Sequence, residues 1–149
     1  MPQTVRDFFS PRGILSQVFP SFEFRQGQLE MAEAVQQAFA DNRHAVIEAG
    51  TGTGKTLAYL IPAILSGKRV IVSTGTKNLQ EQLFFKDIPL LEKVFQRPLQ
   101  VTYMKGRANY LCRAKADEAA VSQTAWLEGL EEVNGFKVIR DWLPTTEMG

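Results

Sequence analysis

Cysteine is almost absent from this sequence. The single residue, Cys112, excludes an internal disulfide and fits a reducing compartment, where disulfides are rare. A long hydrophobic run is also lacking. The most apolar stretch, Leu57 to Leu65, is far shorter than the roughly 20 residues of a membrane-spanning helix, and the first residues contain no apolar core of signal-peptide length. The expectation is therefore a cytoplasmic protein without membrane attachment.

The sequence has no excess of charge of either sign. Its 17 Lys and Arg residues against 16 Asp and Glu give a net charge of +1, so there is no global basic field to indicate nucleic acid. Any nucleic-acid surface must be local. With 149 residues, 44% of them hydrophobic and 22% charged, the chain is large enough for one globular domain with a real core.

The apolar residues indicate an α/β fold. Short apolar runs at His44–Glu48, Arg69–Ser73 and Leu99–Met104 are typical of buried strands. Helical spacing predicts helices over Gly27–Ala40, Gly54–Ser66, Lys77–Phe85, Ile88–Phe95, residues 113–132 and Phe136–Leu143. Alternating strands and helices predict a parallel sheet with crossover helices. Because three strands make an incomplete sheet, we expect the sequence to be the front portion of a larger domain.

A glycine-rich segment follows the first predicted strand. It reads Ala49-Gly50-Thr51-Gly52-Thr53-Gly54-Lys55-Thr56 and fits the phosphate-binding loop pattern, with alanine at the first glycine position. Glycines let successive main-chain N–H groups turn towards an anion, and the helix that follows directs its positive end at the phosphates. We expect Lys55 to contact the β- and γ-phosphates of ATP and the Thr56 hydroxyl to bind Mg²⁺.

The glycine-rich segment has other interpretations besides a phosphate-binding loop. A flexible turn with an incidental lysine would need neither the strand before it nor the helix after it. A dinucleotide-binding fingerprint requires different glycine spacing and gives Lys55 and Thr56 no role. The loop alone is compatible with a kinase or other phosphotransferase acting on a small molecule, and with a non-catalytic nucleotide-binding module.

Three further segments accompany the loop. Phe22–Gln28 (FEFRQGQ) precedes it, Ser73–Leu83 (STGTKNLQEQL) follows the second predicted strand, and Lys105–Cys112 (KGRANYLC) comes later. Together with the alanine that begins the loop, they resemble the DinG/XPD-type iron–sulfur DNA helicases of superfamily 2. The resemblance implies a RecA-like motor domain in which ATP hydrolysis drives translocation along a single strand and duplex unwinding.

The resemblance assigns adenine recognition to the first segment. In that family an arginine and a glutamine lie near the adenine, which here implies Arg25 and Gln28. An amide can pair a donor and an acceptor with one base edge, so Gln28 is suited to select adenine. The family often has proline after the arginine, where this sequence has Gln26. Read without the loop, Gln28 is only a polar residue that opens a helix.

The second segment resembles the family motif that grips the backbone of a single strand. This implies DNA contacts by Thr74, Gly75, Thr76 and Lys77. Hydroxyl and main-chain N–H groups bind phosphate without reading bases. The structural alternative is an ordinary helix N-cap by Thr74 or Thr76, and both interpretations can hold at once, since a capped helix end also binds phosphate.

The third segment resembles the one that ends in the first cysteine of a 4Fe–4S cluster, which implies that Cys112 is a cluster ligand. On this basis residues 1–111 are the ATP-binding part of a first motor domain, and residues 112–149 begin a helical iron–sulfur insertion. Read alone, a single cysteine is most often a small buried hydrophobe. A cluster needs four thiolates, and the resemblance implies three more cysteines and then an Asp-Glu-Ala-His-like box beyond Gly149.

The resemblance also implies the partners. ATP and Mg²⁺ are the expected cofactors of the loop, single-stranded or forked DNA is the expected substrate, and a monomer is the expected form. Hydrolysis further needs an Asp-Glu pair and arginine fingers. Asp117-Glu118-Ala119-Ala120 only echoes such a pair, because no apolar strand precedes it. We therefore expect the 149 residues alone to hydrolyse little ATP and to unwind nothing.

Overall fold

The computed structural model describes residues 4–50, 52–122 and 130–146. The chain divides into two units, Met1–Tyr103 and Met104–Gly149, and the regular elements of the described residues are helical. Within these ranges no helix is both long and apolar enough to cross a lipid bilayer.

Six α-helices and one π-helix make up the described part of the first unit. They are α1 (Val5–Phe9), α2 (Ile14–Val18), α3 (Gln26–Asp41), α4 (Lys55–Leu65), α5 (Lys77–Gln82), the π-helix Leu83–Asp87 and α6 (Ile88–Phe95). The helices predicted where α3, α4 and α6 lie are confirmed. The helix predicted over Lys77–Phe85 is helical too, but it widens into the π-helix at Leu83.

The core of the first unit combines its N-terminal helices with α3, α4, the π-helix and α6. Phe8, Phe9 and Leu15 are at most 1% exposed, and the ring of Phe8 packs against Phe95 of α6 with 4.9 Å between centroids. Helices α3 and α4 join the same core, where Ala32 and Ala58 are fully buried. This packing fixes the start of α3 beside the start of α4.

The second unit contains two described α-helices. They are α7 (Arg113–Ser122) and α8 (Leu130–Trp142), accompanied by short 3-10 helices at Arg107–Asn109 and Leu143–Thr145. The helix predicted after Cys112 is confirmed for α7, while residues 123–129 lie outside the described ranges. Helix α8 begins six residues before the predicted Phe136.

The predicted RecA-like parallel sheet is wrong. In the described residues none of the three segments, His44–Glu48, Arg69–Ser73 and Leu99–Met104, is a β-strand. Within the described residues, no backbone hydrogen bond joins the first segment to the second. Val46 and Ile71, which we expected to be buried, are instead almost completely exposed to solvent. An apolar run reports only that its side chains favour burial, whereas a strand exists through hydrogen bonds to a neighbouring strand.

Candidate nucleotide site

The glycine-rich loop ends where α4 begins, at Lys55. Gly52 and Gly54 have φ angles of 73° and 78°, in the left-handed region that glycine adopts without Cβ strain. A Cβ atom built on Gly52 would meet nothing within 4 Å, so a ligand can approach the main chain at this turn. Thr51, which we predicted as a loop contact, lies outside the described residues.

Lys55 folds back over the loop. Its ammonium donates to the main-chain oxygens of Ala49, at 2.9 Å, and Gly50, at 2.5 Å. The hydroxyl of Thr53 donates to the same Gly50 oxygen at 3.0 Å. A phosphate group in the loop would compete for the ammonium as a charged acceptor, which forms stronger hydrogen bonds than a neutral carbonyl. Lys55 therefore lies where an anion bound by the loop would meet it.

Gln28 ties helix α3 to the loop. The residue is only 6% exposed, and its Nε2 donates to the main-chain oxygen of Gly54 at 2.9 Å. A Cβ atom on Gly54 would stand 2.1 Å from that nitrogen. Position 54 therefore favours glycine for its positive φ, and a side chain there would also displace the amide of Gln28.

Arg25 reaches the loop from the same side. It is the N-cap residue of α3, and its Nη1 donates to the main-chain oxygen of Gly52, while Nη2 lies 3.3 Å from Oε2 of Glu23. The family resemblance implied Arg25 and Gln28 as adenine contacts, but the sequence did not predict that both would hydrogen-bond to the loop's main chain. A signal was present, because residues three apart at a helix start point in similar directions.

A cavity of 460 Å³ opens beside the loop. Its walls are mainly apolar with a few polar groups, as is usual for small-molecule sites. The cavity brings residues predicted for adenine together with residues predicted for phosphate, since its lining includes Arg25, Gln28, Met31, Ile47, Ala49 and Gly50.

Thr56, the predicted magnesium ligand, is the second residue of α4 and is half-buried. Its hydroxyl influences the pKa of Tyr59, which lies one helical turn further along α4. Burial raises the pKa of the Tyr59 phenol, the Thr56 hydroxyl opposes this shift, and the Asp87 carboxylate adds to it. Burial also raises the pKa of Asp87, against the lowering effects of Gln82 and Lys86. The region behind Thr56 is thus partly shielded from water.

The predicted DNA-contact segment lies at the start of α5. The Thr76 hydroxyl accepts the main-chain N–H of Leu79 at 3.3 Å, which confirms Thr76 as the N-cap. The Thr74 hydroxyl donates to the Thr76 main-chain oxygen at 3.2 Å, and Gly75 and Lys77 are exposed. DNA contact by these four residues stays a prediction.

Cys112 belongs to the second unit and directly precedes α7. Its main-chain oxygen accepts the N–H of Ala116 at 3.0 Å, and the residue is exposed. The alternative interpretation, a small buried hydrophobe, is therefore wrong. Upstream, the main-chain N–H of Lys105 donates to the Tyr110 hydroxyl at 2.7 Å, which closes the segment that leads to the cysteine.

Comparison with family models matches residues 26–118 to the DEAD/DEAH box helicases. The matched range contains Gln28, the glycine-rich loop, the segment Thr74–Lys77 and Cys112. The chain belongs to the DEAD/DEAH box helicase family.

Its relatives within that family confirm the resemblance to DinG-type helicases. The chain is 43% identical over 145 residues to "ATP-dependent DNA helicase YoaA" of Haemophilus influenzae and 46% identical over 116 residues to the Escherichia coli protein of that name. It is 43% identical over 108 residues to "3'-5' exonuclease DinG" of Bacillus subtilis. These matches cover 97%, 78% and 70% of this chain but 22%, 18% and 12% of the relatives. The chain thus spans about a fifth or less of their length.

Proposed function

We propose that the protein is an ATP-dependent DNA helicase, in which ATP hydrolysis drives movement along a single strand and separation of the duplex. Residues 1–111 supply its ATP-binding portion. The observation that carries the proposal is the convergence of Arg25, Gln28 and Lys55 on the main chain of one glycine-rich loop. Membership of the helicase family and the names of the YoaA relatives support it.

In this proposal the triphosphate occupies the loop. Main-chain N–H groups of the loop, among them those of Gly50, Gly52 and Gly54, would surround it, and the Lys55 ammonium would transfer from the carbonyls of Ala49 and Gly50 to the β- and γ-phosphates. The adenine enters the neighbouring cavity, which Arg25 and Gln28 line. The open space around Gly52 fits the close approach of a phosphate to the main chain.

Magnesium would be held by the hydroxyl of Thr56. The described residues contain no group of three His, Cys, Asp or Glu side chains that could hold a metal ion. A single hydroxyl nevertheless fits Mg²⁺, because this ion keeps several waters and takes its other ligands from substrate phosphates. When bound, the ion neutralises charge that develops on the transferred phosphoryl group.

DNA would run past Thr74, Gly75, Thr76 and Lys77. Hydroxyl groups and one ammonium on this exposed segment suit phosphodiester oxygens and read no sequence. The proposed substrate is single-stranded or forked DNA. We propose further that the protein is a cytoplasmic monomer without membrane attachment; the names of the bacterial relatives, which are those of DNA helicases, support the compartment alone.

Cys112 would be the first of four thiolate ligands of a 4Fe–4S cluster, and residues 112–149 would begin the helical insertion that carries it. Its exposed side chain, at the end of an irregular segment, fits a ligand that the remaining three can approach. When bound, the cluster would tie this segment to the other cysteines.

The test is Lys55→Ala in the full-length protein, with DNA-stimulated ATP hydrolysis as the readout. Loss of the ammonium should lower the rate on the order of a hundredfold or more. Lys68→Ala is the matched control, since Lys68 donates to the main-chain oxygen of Phe39 and to Oδ1 of Asn42, away from the loop, and should leave hydrolysis unchanged. An unchanged rate in Lys55→Ala would overturn the proposal.

A further inference from the structure

Three aromatic rings meet on the first unit. Phe84 stacks on Tyr103 with 5.1 Å between centroids and 23° between planes. Phe85 stands edge-on to both, 5.1 Å from Phe84 and 5.9 Å from Tyr103. Phe84 and Tyr103 are half-buried, whereas Phe85 is 59% exposed. This aromatic cluster, Phe84, Phe85 and Tyr103, supports an outward-facing ring.

The aromatic cluster depends on the π-helix Leu83–Asp87. Hydrogen bonds of the i→i+5 type widen a helical turn, and here the consecutive residues Phe84 and Phe85 both contact Tyr103. The buried side chain of Leu83 fixes this turn to the core. π-Helices are rare and occur frequently at functional sites, which indicates a use for the exposed ring.

The surroundings of Phe85 favour the binding of a polyanion that carries flat aromatic rings. Lys86 is its direct neighbour, and Lys77 begins the same helical run; both are exposed. At a rise of 1.5 Å per residue, Lys77 and Phe85 lie about 12 Å apart along the axis, within the span of a few nucleotides. Two acidic groups lie nearby: Glu81, whose Oε1 is 3.5 Å from the Tyr103 hydroxyl, and the half-buried Asp87 at the end of the π-helix. Cationic tracks with interleaved aromatic rings are the usual surface for single-stranded nucleic acid.

We propose that the exposed ring of Phe85 is a stacking site for one base of the single strand whose phosphates pass Lys77 and Lys86. The site rests on the proposed function, because it serves the same DNA. Stacking on an aromatic ring tolerates any base, which suits an enzyme that must move along arbitrary sequence. Phe84 and Tyr103 hold the ring of Phe85 in place from behind.

The test compares two oligonucleotides of equal length on the full-length protein, one of thymidylate and one fully abasic. Anisotropy titration gives the ratio of their affinities, which isolates the contribution of the bases. Phe85→Leu should reduce this ratio roughly 5- to 100-fold, the effect of removing one base–aromatic stack, and Phe85→Trp should retain it. Lys86→Gln should weaken the binding of both oligonucleotides by the same factor. Trp142→Leu, which removes an exposed aromatic ring of the second unit, should leave both affinities unchanged.

The outcomes separate this inference from the proposed function. An unchanged ratio in Phe85→Leu, with DNA-stimulated hydrolysis intact, overturns the stacking site alone. Absence of any DNA binding by the wild-type protein overturns both. The Phe85→Trp variant provides a second measurement: its additional fluorescence should be quenched by thymidylate and not by the abasic strand. Equal quenching by the two would also refute stacking.

Discussion

The side-chain nitrogen of Gln28 lies 2.9 Å from the main-chain oxygen of Gly54, and this hydrogen bond joins the start of α3 to the start of α4. Because Gln28 is 6% exposed, loss of the donor would leave the acceptor in a shielded position, and an unpaired buried carbonyl costs more than the bond itself contributes. Gly54 immediately precedes Lys55. The position of the Lys55 ammonium therefore depends on Gln28, a residue of another helix.

The first prediction concerns Gln28→Glu. A carboxylate has no N–H to donate, so the substitution should replace attraction to the Gly54 oxygen by repulsion and displace the loop. We expect ATP affinity to fall roughly 10-fold or more, from a lost contact worth about 1 to 3 kcal/mol. Titration of the full-length protein with fluorescent ATP measures it.

Gln26→Glu is the matched control for this change. Gln26 lies two residues earlier on α3, is exposed, and donates to Glu30 of the same helix. Its substitution adds the same charge and should alter ATP affinity less than about twofold, as surface changes usually do. If the two variants lose affinity equally, charge rather than the Gln28–Gly54 contact is responsible.

The second prediction concerns Gly54→Ala. The φ of 78° strains any L-residue, and the new Cβ would stand 2.1 Å from Nε2 of Gln28. We expect urea denaturation to show a loss of about 1 to 3 kcal/mol in the free energy of unfolding. Adding Gln28→Ala removes the clash but not the backbone strain. The double variant should therefore lose less free energy of unfolding than the sum of the losses of the two single variants.

Gly27→Ala tests whether replacing any glycine near the loop by alanine lowers the stability of the protein. Gly27 lies inside α3, has no positive φ, and a Cβ there would meet nothing within 4 Å. Its replacement should stabilise the protein by about 0.5 to 1 kcal/mol, because alanine loses less backbone entropy in a helix. Destabilisation comparable to that of Gly54→Ala would contradict this account.

The helices could be predicted from sequence because their signals are local. In α3 the residues Leu29, Ala32 and Val35 recur at helical spacing, and Asn42, with a φ of 51°, ends the helix in the left-handed conformation that asparagine tolerates. The π-helix after α5 could not be predicted, since one widened turn hardly changes an apolar period. The prediction of strands was wrong because strand pairing depends on partners far along the chain.

The residue types of the candidate site could be proposed from the sequence, whereas its contacts could not be predicted. Lys55 and Thr56 follow from a fixed spacing within one loop. The acceptors of Arg25 and Gln28 depend instead on the distance between α3 and the loop, which Ala32, Ala58 and the rest of the core set by packing. No local pattern reports such a distance.

The third prediction concerns Phe8→Ala. Phe8 is fully buried and packs on Phe95, so truncation should cost about 3 to 5 kcal/mol of the free energy of unfolding. Phe85→Ala is the comparison, since that ring is 59% exposed; it loses only edge contacts with Phe84 and Tyr103 and should cost about 1 to 2 kcal/mol. Urea denaturation compares the two. Equal losses would show that the N-terminal helices are not part of the core.

The fourth prediction concerns the pH dependence introduced by Asp87. Burial raises its pKa above the ordinary value of 3.8, so the folded state binds its proton more tightly than the unfolded state. The stability from this group is therefore complete below pH 3.8 and is lost as the pH rises through the folded pKa. Asp87→Asn removes the charge, and should raise the unfolding midpoint at neutral pH.

The gain from Asp87→Asn should shrink as the pH falls towards 3.8. Thermal unfolding at a series of pH values measures it. Asp117→Asn, at an exposed residue of α7, controls for the loss of one negative charge and should show no such trend. A gain for Asp87→Asn that is constant with pH would place its origin outside the titration of this carboxyl group.

The last prediction separates the two roles open to the start of α5. Thr76 caps the helix, so Thr76→Ala should cost about 0.5 to 2 kcal/mol of stability whether or not DNA binds there. Lys77 is exposed and caps nothing. Lys77→Gln should therefore leave stability unchanged, weaken single-stranded DNA binding, and reduce the slope of log affinity against log salt by about 0.7, as expected for one phosphate contact on a single strand. Lys93→Gln, an equally exposed change on α6, should leave the slope unaltered. Identical slopes for the wild type and Lys77→Gln would restrict this segment to its structural role, because a lysine that displaces no counterions contacts no phosphate.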